Sequence, residues 1–357
     1  MIEDALKLTV YLGERDRVGG AFASDALEAI HARHGLRASV LLRGMAGYGA
    51  RQQLRTDRLL TLSEDLPLVS VAVDTRARVE AALADVRALP FHGLVTLERA
   101  RLTDGRGAVA RLPEGADDAT KLTVYVGRRA RAEGRPAVTA ILDVLRAAGV
   151  SGATALLGVD GVLGGRRHRA RLIGRNADVP VMVIAVGPGG RIRAALPELE
   201  ALLDEPVMTL ERIRLCKRDG VRLGEPRHIA ATDPSGLGIW QKLMVYAGEQ
   251  SPGGGGPMHQ EILSALRAEG AAGATTLRGV RGYHGDHAPH GDALWQLRRR
   301  APVVTVIVDV PERARRWFEL VDALTEQTGL VTSELVPAFQ TRTPAPGAGG
   351  LRLADVE

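Results

Sequence analysis

Only four lysines occur in this 357-residue chain, and three of them stand in the same surroundings. Lys7 opens Lys-Leu-Thr-Val-Tyr-Leu-Gly, Lys121 opens Lys-Leu-Thr-Val-Tyr-Val-Gly and Lys242 opens Lys-Leu-Met-Val-Tyr-Ala-Gly. A cation kept three times can hold an anionic ligand. It can equally pair across strands with Glu98, Glu211 and Glu334, which recur in step as Thr-Leu-Glu, Thr-Leu-Glu and Thr-Ser-Glu. The five tyrosines follow the same order: Tyr11, Tyr125 and Tyr246 share one position, and Tyr48 and Tyr283 share another, where the second copy has Val162. The pairs Gly44/Gly47, Gly158/Gly161 and Gly279/Gly282 read either as tight turns required by the fold or as turns that also let a phosphate approach backbone N–H groups. Their spacing is not that of a P-loop.

Other chemistry is confined to particular copies. Arg99 and Arg101, then Arg212 and Arg214, follow the Thr-Leu-Glu blocks and could grip phosphate bidentately, or simply be solvated. The third copy has Leu335 and Pro337 there, so at most two sites would be so equipped. That copy alone carries His284, Asp286, His287 and His290, a density of imidazole and carboxylate that could coordinate a divalent metal, or form a polar, pH-sensitive loop. Its spacing matches no strong zinc motif. No nucleophile, base and orienting group recur together, and no histidine position repeats, so the chain does not read as an enzyme.

Composition excludes further classes. The formal charge is +5, but the arginines are spread along the whole chain and only 3% of residues are aromatic, which argues against nucleic-acid binding. The one cysteine, Cys216, allows no internal disulfide, as expected in a reducing compartment. No leader pattern opens the chain, and the longest apolar run, 179–186, is far too short to span a bilayer, so a cytoplasmic, soluble protein is expected.

The elements that must position these residues repeat with a period near 115, the size of a small domain rather than a solenoid unit. In the first copy, Leu8, Val10 and Leu12 alternate with Lys7, Thr9 and Tyr11, a strand pattern. Helices are predicted over 24–34 and 76–89, and further strands over 39–43, 68–73 and 94–102. The other copies follow suit, with helices near 137–148, 191–203, 258–268 and 311–327. This is α+β: three tandem βαββαβ domains over 5–103, 119–217 and 240–341. Linkers fall at 104–118 and 218–239, and a flexible tail rich in Pro and Gly at 342–357. The first strand is apolar on one side and carries Lys, Thr or Met, and Tyr on the other. The three sheets are therefore expected to face one another around a pseudo-threefold axis, with the chain monomeric.

Four blocks of the first copy carry a family resemblance: Lys7 to Glu14, Val40 to Gly49, Leu62 to Val69 and Gly93 to Glu98. Together they resemble the domain of unknown function 190 family, within the PII-like superfamily of trimeric ferredoxin-like signalling proteins. The second and third copies keep the first, second and last blocks and have drifted elsewhere. The resemblance implies three PII-like domains forming a pseudo-trimer in one chain. It implies a non-enzymatic regulator that binds a small anionic effector, an adenine nucleotide being one candidate, in the clefts between copies. The loops after the second strands, 44–60, 158–173 and 279–297, would respond and contact a partner such as a membrane transporter or an enzyme. A divalent-metal-binding module using the third copy's histidines is the alternative. Because a fused chain lets each copy drift alone, the three clefts are expected to be unequal, those built on the first copy being best equipped.

Overall fold

A computed structural model describes residues 2–49, 52–56, 65–103, 119–170, 178–249, 256–284, 290–291, 301–325, 328–342 and 349–356. In the first repeat, β1 (Ile2–Gly13), α1 (Ala23–Arg33), β2 (Ala38–Arg43), β3 (Ala46–Tyr48), β4 (Pro67–Thr75), α2 (Arg76–Ala88) and β5 (Gly93–Thr103) follow in order. The second has β6 (Ala119–Gly127), α3 (Ala137–Ala147), β7 (Gly152–Leu157), β8 (Asp160–Leu163), β9 (Pro180–Pro188), α4 (Gly189–Leu202) and β10 (Val207–Arg218). The third has β11 (Trp240–Gly248), α5 (Met258–Ala268), β12 (Ala274–Arg278), β13 (Arg281–His284), β14 (Pro302–Asp309), α6 (Pro311–Thr325), β15 (Leu330–Val336) and β16 (Ala338–Arg342). Shorter two- to four-residue strands complete the chain. The protein is α+β, and the six helices among the described residues lie within one or two residues of their predicted spans, where fraying and caps make ends soft.

Each repeat builds an antiparallel sheet with its first strand central. The order is β5-β1-β4-β2 in the first, β10-β6-β9-β7 in the second and β15-β11-β14-β12 in the third. Both helices cover one face. In the first repeat Leu27, Ile30, Val79, Leu83 and Val86 pack on Leu8, Val10 and Leu97. The opposite faces of all three sheets share a single core, which joins Val71 and Val73 to Tyr125, Met182 and Ile184 and to Tyr246, Val304 and Val306.

The glycine-rich turns after the second strands were expected to open long polar loops. They continue first into β3, β8 and β13, each of which pairs with the second strand of another repeat, while 57–60, 171–173, 285–289 and 292–297 of the expected loops lie outside the described residues. β8 pairs with β2, β13 with β7 and β3 with β12, so the pairings close a cycle. Their shortness and their glycines concealed these strands, and their partners are remote in sequence. The last strands close a second cycle. The end of β5 pairs with the start of β10, the end of β10 with β15, and β16 with the start of β5. Pro337, which cannot donate to a ladder, separates β15 from β16 at the crossing point.

Two further expectations meet the structure. The linker over 104–118 lies outside the described residues. The expected flexible tail is corrected over 349–356: Ala354 is fully buried, its N–H donates to the Pro337 carbonyl at 2.7 Å, and its own carbonyl accepts from Arg99 at 2.8 Å. The Asp355 N–H reaches the Asp233 carboxylate in the second linker at 2.9 Å, so two segments without periodicity hold each other. No described helix is long and apolar enough to cross a membrane.

Candidate functional site

The recurring lysines and glutamates meet at the centre of the molecule. Within each repeat they face each other across the first and last strands, Lys7 opposite Glu98, Lys121 opposite Glu211 and Lys242 opposite Glu334. Each lysine also bonds the glutamate of the next repeat. Lys7 joins Glu98 at 3.1 Å and Glu211. Lys121 joins Glu211 at 2.9 Å and Glu334. Lys242 joins Glu334 at 2.8 Å and Glu98. Three ammoniums and three carboxylates thus alternate in a closed, buried ring. Burial alone would lower the lysine pKa values, but the flanking carboxylates outweigh it and hold Lys7 and Lys242 well above their ordinary value. Burial would raise Glu98 and Glu334, and the lysines overcome it and hold both below the usual carboxylate range. The three carboxylates converge as metal ligands might, their atoms within 4.8 Å of one another, but the ammoniums already balance them. Among the described residues the three lysines and Glu98 are thus engaged in ion pairs, one of the two readings open in the sequence.

The glycine pairs also have a packing role that sequence alone left open. A Cβ on Gly47 would lie 2.7 Å from the Ala274 carbonyl, and one on Gly282 would lie 2.5 Å from that of Ala153. On Gly161 it would strike the Ser39 carbonyl closer still. Gly44, Gly158 and Gly279 press on Pro67, on Val40 with the Pro180 carbonyl, and on Thr154 with Pro302. Gly47, Gly161 and Gly282 are glycine because the backbone of another repeat approaches closely there. Tyr48 inserts into the helix-side core of the third repeat, and Tyr283 into that of the second.

One cleft between repeats is roomy. It lies between the first and third, encloses about 220 Å³, and meets Tyr11, Tyr48, Arg55, His92, Trp240 and Arg342. Apolar Val306 and Val308 floor it. The corresponding junction of the third repeat with the second, at Tyr246, Tyr283 and Gly152, holds only about 20 Å³. The buried Tyr48 hydroxyl has no partner among the described residues. Burial pushes the Tyr11 phenol up to about 12, so it stays protonated and can donate. Arg342 stacks 4.8 Å above the Phe91 ring and donates to the Arg87 carbonyl at 2.9 Å. Burial first, and then the Arg87 charge, lower its pKa. Arg55 is tied to Asp65 at 2.9 Å. Of the predicted site residues, Tyr11, Gly47 and Tyr48 reach this cleft, whereas Gly282, Tyr283 and Tyr246 line the small one and Tyr125 is buried in the shared core. Trp240, His92 and Arg342 were missed, because none of them sits in a recurring block.

Arg99, Arg101, Arg212 and Arg214 do not line either cleft but a separate hollow. His284 and His290 lie on paired backbone segments, and Asp286 and His287 fall outside the described residues. Sequence reading also missed a polar cluster inside the first repeat. Fully buried Glu28 accepts from Ser39 and Ser70 at 2.6 Å each and lies 3.4 Å from His31. Burial would raise its pKa, but His31 and the two hydroxyls hold it below the carboxylate range. The signal was available: the second repeat has Leu142, Leu145 and Ala153 where the first has Glu28, His31 and Ser39. Glu28→Leu alone should cost about 1–3 kcal/mol for each buried polar partner it strands. Adding His31→Leu, Ser39→Ala and Ser70→Val should recover most of that loss in denaturant titrations.

The comparisons with known proteins follow this repeat structure. The profile of the DUF190 family, described as "Uncharacterized ACR", matches residues 5–102, 119–215 and 240–338. The chain belongs to this family. A "UPF0166 protein" of Aquifex aeolicus (strain VF5) is 31% identical over 80 residues, 22% of this chain and 74% of that protein. One relative of that length thus corresponds to a single DUF190 repeat. The solved structure of an aspartate kinase from Synechocystis aligns with 95% of this chain and 46% of its own, so the chain spans less than half its length. The identity is 10% and the TM-score 0.23, too weak a likeness to carry an argument.

Proposed function

We propose that this DUF190 protein is a PII-like regulator. Its three repeats act as a ferredoxin-like pseudo-trimer in one chain, and it binds a small anionic effector, an adenine nucleotide being the first candidate. The observation that carries the reading is the cleft of about 220 Å³ between the first and third repeats, with the Tyr11 phenol and the Arg342 guanidinium in its lining. Trp240, whose ring stacks on Phe339 at 4.2 Å, adds apolar surface to the lining. The cleft borders the loop after β3, so occupancy is communicated there to a partner, a transporter or an enzyme, without chemistry on the ligand. The inequality of the clefts, about 220 against about 20 Å³, supports fewer than three ligands per chain. The divalent-metal alternative rests on the third repeat's histidines, and no described geometry favours it.

A thermal-shift screen of adenine nucleotides, other small anions and divalent metals tests this. A ligand at a hundred times its Kd stabilises the folded state by about 2.7 kcal/mol. Stabilisation by a nucleotide or another anion is expected, and Arg342→Gln should weaken it by roughly tenfold to a hundredfold, the loss of one charge-assisted contact. Stabilisation by divalent metals alone, or by none of these, would overturn the proposal.

A further inference from the structure

Five arginines converge on a hollow that the effector cleft does not touch. Arg99 and Arg101 come from β5, Arg212 and Arg214 from β10, and Arg227 from the segment after β10. The hollow measures about 620 Å³. Its place follows from register. Arg99 and Arg212 each follow a ring glutamate, and Gln241, which precedes ring residue Lys242, sits opposite Leu335. Arg214 sits opposite Ser333. The hollow is thus a forecourt of the ring, at the crossing of the last strands.

Its chemistry is one-sided. Among the described residues, five guanidiniums line it and no carboxylate does. Among the described residues, Arg101, Arg212 and Arg214 form no ion pair, although ion pairs are common elsewhere on this surface. The Arg214 Nε is buried without an acceptor among the described residues. Gln241 donates to Ser333 at 2.7 Å and to the Arg227 carbonyl at 3.3 Å, so the polar wall is fixed. The third repeat contributes Leu335 and Pro337 in place of arginine, giving the hollow one apolar side. Arg101, Arg212 and Arg214, gathered without ion-pair partners among the described residues, raise the free energy of the empty hollow, and an anion with several oxygens relieves that while satisfying forked donors.

We propose that this hollow is a second binding site, distinct from the effector cleft, for a small multiply charged oxyanion bearing two or more phosphate or carboxylate groups. Recognition is by bidentate guanidinium contacts from the first and second repeats. The third repeat sets one boundary by its apolar side chains. The fused chain makes such a lopsided site available, since three identical copies would place arginine on every side.

Calorimetry on the full chain at fixed ionic strength tests it, with inorganic pyrophosphate and citrate as probes and chloride as the reference. One of the two probes is expected to bind with a stoichiometry of one, and which of them does so separates phosphate from carboxylate. Arg212→Gln with Arg214→Gln should weaken that binding by at least about a hundredfold, from two lost charge-assisted contacts. The same variant should melt no lower than the parent without probe, because it relieves repulsion; this guards against misfolding as the cause. It should leave nucleotide stabilisation at the cleft unchanged, while Arg342→Gln should do the reverse. Absence of binding by both probes, or binding that Arg342→Gln abolishes and the double variant leaves intact, would overturn the second site whatever becomes of the first.

Discussion

Lys7→Met should destabilise the protein by about 3–5 kcal/mol, the cost of stranding a buried charge whose partner has been removed. Lys7 is only 5% exposed and joins Glu98 to Glu211, so its loss leaves two carboxylates facing each other across an apolar core. Lys121→Met and Lys242→Met should behave alike, because the ring closes through all three repeats. Replacing the whole ring, three lysines by methionine and three glutamates by leucine, should restore stability to near the parent or above it, since desolvating six charges offsets much of their attraction. The pH dependence follows with its sign. Glu98 and Glu334 are depressed, so their contribution is full above about 4.5 and is lost as pH falls below it. Lys7 and Lys242 are raised, so theirs is full below about 10.5 and is lost as pH rises above it. Denaturant titrations across pH should show a plateau between these limits, which the apolar ring variant should widen. A loss under about 1 kcal/mol for Lys7→Met would contradict the account.

The next largest effect is expected at Gly161. A Cβ there meets the Ser39 carbonyl and comes within 2.9 Å of the Pro180 ring, and neither can swing aside. Gly161→Ala should cost at least the roughly 1–3 kcal/mol of an overpacked core, and Gly161→Val more. The damage should be local before it is global. β8 must leave β2, so amide exchange should quicken over 38–43 and 160–163 while β6 and β9 stay protected. Gly49→Ala is the control, for nothing lies within 4 Å of its Cβ, and its effect should stay within about 0.5 kcal/mol. Equal stability of the Gly161 and Gly49 variants would show that the backbone yields at the junction.

Local periodicity and self-comparison made most of the fold legible. Leu8, Val10 and Leu12 alternate because a strand's side chains do. Leu27, Ile30, Val79 and Val86 recur as a helix face requires. Three copies of one block gave the repeats, and Lys7 opposite Glu98 gave one edge of the ring. These readings concern neighbours within a few residues or within one repeat, where pattern and geometry are linked by fixed periods. Tertiary structure alone decided how the edges join. That Lys7 also bonds Glu211, and that Gly161 lies against Ser39, depends on how three sheets pack, which no local period encodes. It alone moved Arg99 and Arg214 out of the clefts to a hollow of their own, and brought Trp240 and Arg342 beside Tyr48. A cleft is made by surfaces from different repeats meeting, so its residues share a place in space and none in sequence.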